Sequence, residues 1–243
     1  MNVTLVTGTG TDVGKTIAVA ALAAVAADAG QRVAVVKPIQ TGLRVGEPGD
    51  LADVTRLAGV TDIFEFVRYP DPLSPEAAAR RSGLAEVTAT ELVTAIQRLS
   101  GDFDLVLVEG AGGLLVRINA AGETFSDLAA LLGGETIVVV AAGLGTLNHT
   151  ALTLEVARNR GIPIAGLIVG SWPSAPDIAA QENLQDLPNL ARRPLLGVLP
   201  EGLGSADRGA FLAAARAALS ESVGGRVRSG ESMGSYAKRQ ENS

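Results

Sequence analysis

The chain has 243 residues, enough for one α/β domain with a sizeable core, and 47% of them are apolar while only 3% are aromatic. Its 20 basic and 26 acidic residues leave a formal net charge of −6, which argues against nucleic acid as the main partner. The absence of cysteine excludes a disulfide, a thiolate nucleophile and a cysteine zinc site, and fits a reducing cytoplasm.

Residues 3–7 form a short apolar run, the first expected strand. No basic segment precedes it, and no stretch of the chain is long and apolar enough for a membrane span, so a soluble cytoplasmic protein with no membrane partner is expected. The chain then reads GTGTDVGKT and enters an alanine-rich helix over about residues 14–29, stopped by Gly30. A loop that wraps phosphates needs glycines, which let backbone N–H groups turn inward, and a following helix whose positive end meets the anion. Lys15 adds a point charge for the β- and γ-phosphates, and Thr16 a hydroxyl for Mg²⁺. Five residues separate Gly8 from Gly14-Lys15, one more than in the pattern G-x-x-x-x-G-K-S/T, and three separate Gly10 from that pair, so the loop is a variant.

Residues 33–37, VAVVK, read as the second strand. At the carboxyl end of a parallel strand Lys37 reaches the ligand crevice, beside the first strand if the winding is conventional; the other reading is a solvated strand-end lysine. A second lysine on the same phosphates suits a reaction that builds negative charge beyond the γ-phosphate. A short helix follows over residues 51–57. Asp50 is either a metal ligand or the N-cap of that helix, and Asp53, one turn on, competes for the metal. Residues 75–81 and 90–99 read as helices.

Residues 103–109, FDLVLVE, are apolar on both faces and belong centrally in a parallel sheet. Glu109 at the tip is either a second handle on Mg²⁺ or a carboxylate capping the turn Gly110-Ala111-Gly112-Gly113. Residues 135–141 are another such strand, followed by the turn GLGTLNHT. His149, the only histidine, reads as a helix-start residue rather than a base, and Asn148 suits a polar ligand group. A helix over 150–160, strands over 164–169 and 195–199 and a helix over 207–219 complete the pattern. The alternation gives an α/β fold with a doubly wound, mostly parallel sheet flanked by helices in three layers. Residues 1–223 then make a single domain, and the Gly/Ser-rich residues 224–243 read as a disordered tail.

Four segments, VTGTGTDVGKT, VKPIQTG, VEGAGGLLVRI and GLGTLNHT, in this order, resemble the dethiobiotin synthetase family, whose architecture is that of the phosphate-loop NTPases. The family's loop carries the same extra residue, and the resemblance runs from Asn2 to about Leu219. It implies a ligase of biotin biosynthesis that uses Mg²⁺ and ATP, or another nucleoside triphosphate such as CTP, to condense 7,8-diaminopelargonate with CO2 or bicarbonate. One amine forms a carbamate, whose oxygen attacks the γ-phosphate. The second amine closes the cyclic urea and expels phosphate. The resemblance gives catalytic roles to Lys15 and Lys37, and Mg²⁺ to Thr16, Asp50 and Glu109. It lays Gly10, Thr11, Asp12, Val13, Gly14, Lys15, Thr16 and Ile17 along the nucleotide. Thr11, Lys37, Thr41, Gly110, Ala111, Gly112 and Gly113 meet the diamine. It also implies a homodimer in which Gly145, Thr146, Leu147 and Asn148 hold the carboxylate tail of substrate bound mainly to the other subunit.

The base-side loops of the family correspond to Gly170, Ser171 and Trp172 and to Pro200, Glu201 and Gly202. Many members carry an adenine-reading asparagine where this chain has Ser171-Trp172-Pro173, so broad nucleotide use is expected; Trp172 is either a lid or stacking surface, or packing. Two other classes share parts of the pattern. A partitioning-type assembly ATPase would carry a lysine at Gly10, and a cobyrinate-type amidoligase would need a cysteine for its glutaminase domain.

Overall fold

Apolar side chains point alternately to the two faces of the central strands, and this sets the architecture. In β2 (Val33–Thr41), Val33 and Val35 enter one helical layer while Ala34 and Val36 enter the other. Strands of that kind sit inside a parallel sheet covered on both sides. The computed structural model describes residues 2–227. In it β1 (Val3–Gly8), β2, β3 (Ile63–Tyr69), β4 (Leu105–Gly113), β5 (Glu135–Val140), β6 (Ile164–Trp172) and β7 (Leu195–Pro200) form one parallel sheet, ordered β3-β2-β4-β1-β5-β6-β7.

One face carries α1 (Lys15–Asp28), α2 (Asp50–Ala58) and α8 (Arg208–Ala218). The other carries α3 (Pro75–Ser82), α4 (Ala89–Ser100) and α5 (Phe125–Leu132), with α6 (Thr146–Asn159) and α7 (Ile178–Ala191) continuing that layer toward β7. Helix α1 is apolar around its whole girth and buried from Ala18 to Ala26, enclosed by α2, α8 and the sheet. Its alanines let the helix lie close to the strands. Leu57 and Leu199, fully buried beside it, would cost about 2–5 kcal/mol each if cut to alanine.

Several expectations are corrected. β2 is not beside β1, because β4 lies between them. β2 and β4 continue through Thr41 and Gly113, so Lys37 and Glu109 lie within strands rather than at their tips. β3, α5 and α7 carry too weak a pattern to be read from the sequence. β3 is a half-exposed edge strand, α5 has only 8 residues, and α7 contains Pro188. α6 starts at Thr146, so the GTLNH turn is already helical. The chain also continues past Val223 without a break: Val227 is buried and its N–H donates to the Leu219 carbonyl at 3.1 Å. The rest of the expected tail, residues 228–243, lies outside the described residues. Among the described residues no helix is long and apolar enough to cross a membrane.

Candidate active site

The carboxyl ends of β1, β2 and β4 meet over the N-terminus of α1 and line a cleft of about 710 Å³. The phosphate loop forms its floor. Gly14 has φ 89°, a left-handed conformation that glycine adopts without strain, and Asp12 has φ 58°, which a short polar side chain tolerates. A Cβ on Gly14 would lie 2.5 Å from the Gly170 carbonyl, so the loop lies directly against the end of β6. The Lys15 ammonium donates to the Gly10 carbonyl at 2.7 Å, folding the lysine over its own loop.

Behind the loop stands a buried ionic cluster. The Lys37 ammonium lies 2.6 Å from Asp50 Oδ2 and 2.7 Å from Glu109 Oε1, with the Lys37 and Glu109 side chains 5% and 1% exposed. It also donates to the Gly110 carbonyl at 3.3 Å. The Thr16 hydroxyl donates to the same Glu109 Oε1 at 2.9 Å. This joins α1, β2, β4 and the start of α2 at one point. Burial works to lower the Lys37 pKa, but the charges of Glu109 and Asp50 outweigh it, so the net shift is upward. Lys15 shifts the other way. Burial lowers it, the nearby Lys37 charge lowers it further, and the carboxylates restore only part.

Among the described residues Glu109 Oε2 is buried with no hydrogen-bond partner. A carboxylate oxygen left over in this way, beside the Thr16 hydroxyl and a second carboxylate, is the donor set a hard cation takes. Among the described residues no group of three acidic or histidine side chains forms a closed metal cage. Mg²⁺ commonly uses one or two carboxylates and completes its shell with water and substrate phosphates, so Thr16, Asp50 and Glu109 fit it. Of the two candidate aspartates, Asp50 is the one that reaches the Lys37 ammonium. Asp53 is half-exposed and pairs instead with Arg56 at 2.7 Å.

The cleft brings together Thr11, Asp12, Gly14, Lys15, Thr16, Ile17, Lys37, Thr41, Asp50, Glu109, Ala111 and Gly112. Gly110 sits just behind, packed on Phe125: a Cβ there would meet the ring at 3.2 Å. Gly113 pairs with Gly8 across β1 and β4. Gln40, Val116 and the segment from Pro72 to Pro75 also line the cleft and were not singled out from the sequence. That segment follows β3, so missing β3 hid it.

Two groups of expected residues lie elsewhere. Gly145 caps α6 with φ 93°, and Thr146, Leu147 and Asn148 form its first turn. None of the four lines the cleft. The turn is braced from α7 by the buried Asn183, which donates to the carbonyls of Ala142 at 2.7 Å and Gly143 at 3.2 Å. Its exposed side presents Asn148 and the free N–H groups of a helix start, a setting that suits a carboxylate. Among the described residues the His149 side chain makes no hydrogen bond or ion pair; its backbone N–H donates to the Gly145 carbonyl at 3.3 Å.

Gly170, Ser171 and Trp172 end β6, beside Pro200, Glu201 and Gly202 at the end of β7. Two bonds clasp these loops. Glu201 N–H donates to the Trp172 carbonyl at 2.8 Å, and Glu201 Oε1 accepts from Ser174 N–H at 2.7 Å. Trp172 is 6% exposed within the apolar cluster of β6, α6 and α7, so it is packing rather than a stacking surface.

A family model described as an AAA domain matches residues 2–205. The ATP-dependent dethiobiotin synthetase BioD of Parafrankia sp. (strain EAN1pec) is 54% identical over 237 residues, covering 98% of this chain and 100% of that one. The protein of the same name from Frankia casuarinae is 55% identical over 236 residues, covering 97% and 99%. Among solved structures, the cell division ATPase MinD of Pyrococcus furiosus superposes with a TM-score of 0.53 at 18% identity, covering 100% and 99%, a likeness of fold alone.

Proposed function

The chain belongs to the ATP-dependent dethiobiotin synthetase family, and we propose that it closes the ureido ring of dethiobiotin in the cleft above α1. It is a ligase of biotin biosynthesis. The observation that carries the site assignment is the buried ammonium of Lys37, set between Asp50 and Glu109 beside the phosphate loop.

The chemistry needs no protein nucleophile. An uncharged amine of 7,8-diaminopelargonate adds to CO2 and loses a proton, giving the carbamate. The carbamate oxygen attacks the γ-phosphorus and ADP leaves, giving a carbamic–phosphoric anhydride. The second amine attacks the carbonyl carbon and loses its proton, and phosphate leaves. Each step either gathers negative charge or moves it, so the protein's part is positioning and charge. Lys15 reaches the β- and γ-phosphates. Lys37, whose raised pKa keeps it charged, faces the carbamate and the transferred phosphoryl group. Thr11, Thr41 and the backbone of Gly110, Ala111, Gly112 and Gly113 hold the reacting end of the diamine. Thr16, Asp50 and Glu109 would hold Mg²⁺, which when bound neutralises phosphate charge.

We assign the carboxylate tail of the diamine to Gly145, Thr146, Leu147 and Asn148 of a second copy of the chain. These residues stand outside the cleft of their own subunit, which supports a homodimer with a shared site. The nucleoside lies toward Ser171 and Glu201, where this chain lacks the family's asparagine, which supports use of more than one base. A reaction that consumes nucleoside triphosphate belongs in the cytoplasm. The assembly-ATPase reading has only the fold in its favour, and Gly10 stands where that class carries a lysine.

The test is product analysis after mixing the protein with 7,8-diaminopelargonate, bicarbonate, Mg²⁺ and either ATP or CTP. Dethiobiotin is expected with both nucleotides, and is expected to be lost in Lys15→Ala and Lys37→Ala. Removing Lys37 also leaves two carboxylates uncompensated, a cost of about 3–5 kcal/mol, so circular dichroism accompanies that variant. No product from wild type, or near-normal turnover in both variants, rejects the assignment.

A further inference from the structure

Asp50 stands at the start of α2, after the glycine-rich segment of residues 42–49, whose Val45 is almost wholly exposed. A segment of that composition has little of its own to hold it, yet it must deliver a carboxylate to within 2.6 Å of a buried ammonium. The answer lies on the edge of the sheet. Gln40 of β2 and Arg68 of β3 are register partners.

The Arg68 guanidinium is fixed in plane by Glu65, through Nε to Oε1 at 2.6 Å and Nη2 to Oε2 at 2.8 Å. Its Nη1 then donates to two backbone carbonyls of the segment, Arg44 at 3.0 Å and Glu47 at 2.6 Å. Gln40 Oε1 accepts from the N–H of Asp50 itself at 3.2 Å. It satisfies one of the first-turn N–H groups that a helix leaves unpaired, at a cap where Gly49 has no side chain to offer. Gly49 is seated directly on the pair: a Cβ there would lie 2.9 Å from Gln40 Oε1 and 3.2 Å from Arg68 Nη2.

We propose that Arg68 and Gln40 are positioning residues of the synthetase site, gripping the backbone of residues 42–49 so that the Asp50 carboxylate is delivered to the cation and to Lys37. The proposal rests on the assignment of Asp50 to Mg²⁺ made above. Lysine is a poor substitute for Arg68, because a single ammonium cannot hold Glu65 in plane and serve both carbonyls in the same geometry.

The test reads Mg²⁺-dependent binding of a fluorescent ADP analogue, with no turnover required. In Arg68→Met the Mg²⁺ concentration for half-saturation is expected to rise about tenfold, the scale on which residues that orient metal ligands act, while nucleotide affinity without Mg²⁺ stays unchanged. Gln40→Leu, which keeps the Arg68 contacts, is expected to shift the curve in the same direction by less, and Arg68→Lys to recover part of the loss. In an Asp50→Asn background Arg68→Met is expected to add nothing further, because both changes act through one carboxylate. Unchanged Mg²⁺ dependence in folded Arg68→Met overturns the proposal. If that variant fails to fold, unchanged dependence in both Gln40→Leu and Arg68→Lys does the same. If Asp50→Asn itself leaves the curve in place, it is the underlying metal assignment that falls.

Discussion

Gly170 shows how much of the phosphate site rests on the absence of one atom. It ends the straight part of β6, and a Cβ there would lie 2.1 Å from the Val13 carbonyl and 2.7 Å from a Val139 methyl. Backbone is on the far side of the first contact, so nothing flexible can give way. Gly14 faces it with the same demand and a positive φ. Gly170→Ala is therefore expected to push the phosphate loop off the sheet, weakening nucleotide binding at least tenfold in titration, a loss of about 1.4 kcal/mol or more. Unaltered binding would show that the loop is not held by this contact. Lys37 makes the complementary point, for its position was legible in the sequence but its partners were not. VKPIQTG and LVLVEG each announce a charged residue following an apolar strand. Their meeting depends on β2 lying beside β4, an order that loops do not encode locally.

At the scale of elements, helix starts do much of the aiming. Helix α5 begins with Thr124, whose N–H and hydroxyl both donate to Asp127 Oδ2, at 2.7 and 2.6 Å, and Arg160 pairs with the other oxygen at 2.8 Å. The cap fixes Phe125 beneath Gly110 and so supports the glycine strand of the cleft. Partial burial works to raise the Asp127 pKa, but the bonds from Thr124 and the charge of Arg160 prevail and hold it below the ordinary carboxylate value. A carboxyl group depressed in the folded state stabilises at neutral pH, and the contribution is lost as pH falls through its folded value. Asp127→Asn is expected to cost about 1 kcal/mol at pH 7, in the range of lost helix caps, with the gap to wild type closing in acid. Chemical denaturation across pH reads this, and a gap that does not vary with pH would refute it. This element was itself illegible in the sequence, since two helical turns between glycine-rich segments give too little periodicity to register. The strongly patterned elements were legible: α2, α4 and α8 show an apolar period, and α1 and the buried strands show as unbroken apolar runs. So was the phosphate loop, a local structure specified by its own glycines.

For the molecule as a whole, the proposed shared site, with α6 of a second copy holding the substrate tail, would make subunit pairing a matter of catalysis. Asn148→Ala is expected to weaken diamine binding severalfold while leaving nucleotide binding in place. Mixed with Lys15→Ala subunits, it is expected to regain activity, since random pairing restores about a quarter of the sites. Absence of recovery after confirmed subunit exchange would confine the site to one chain. The strand order has a consequence in time as well as in space. β1 is walled by β4 and β5, which come from beyond residue 100. A chain emerging from the ribosome shows the phosphate loop well before the strands that flank it, which are complete only after Val140 has been added. The nascent protein thus carries Lys15 without a pocket around it until those strands are made, and the nucleotide cleft closes only when they join the sheet.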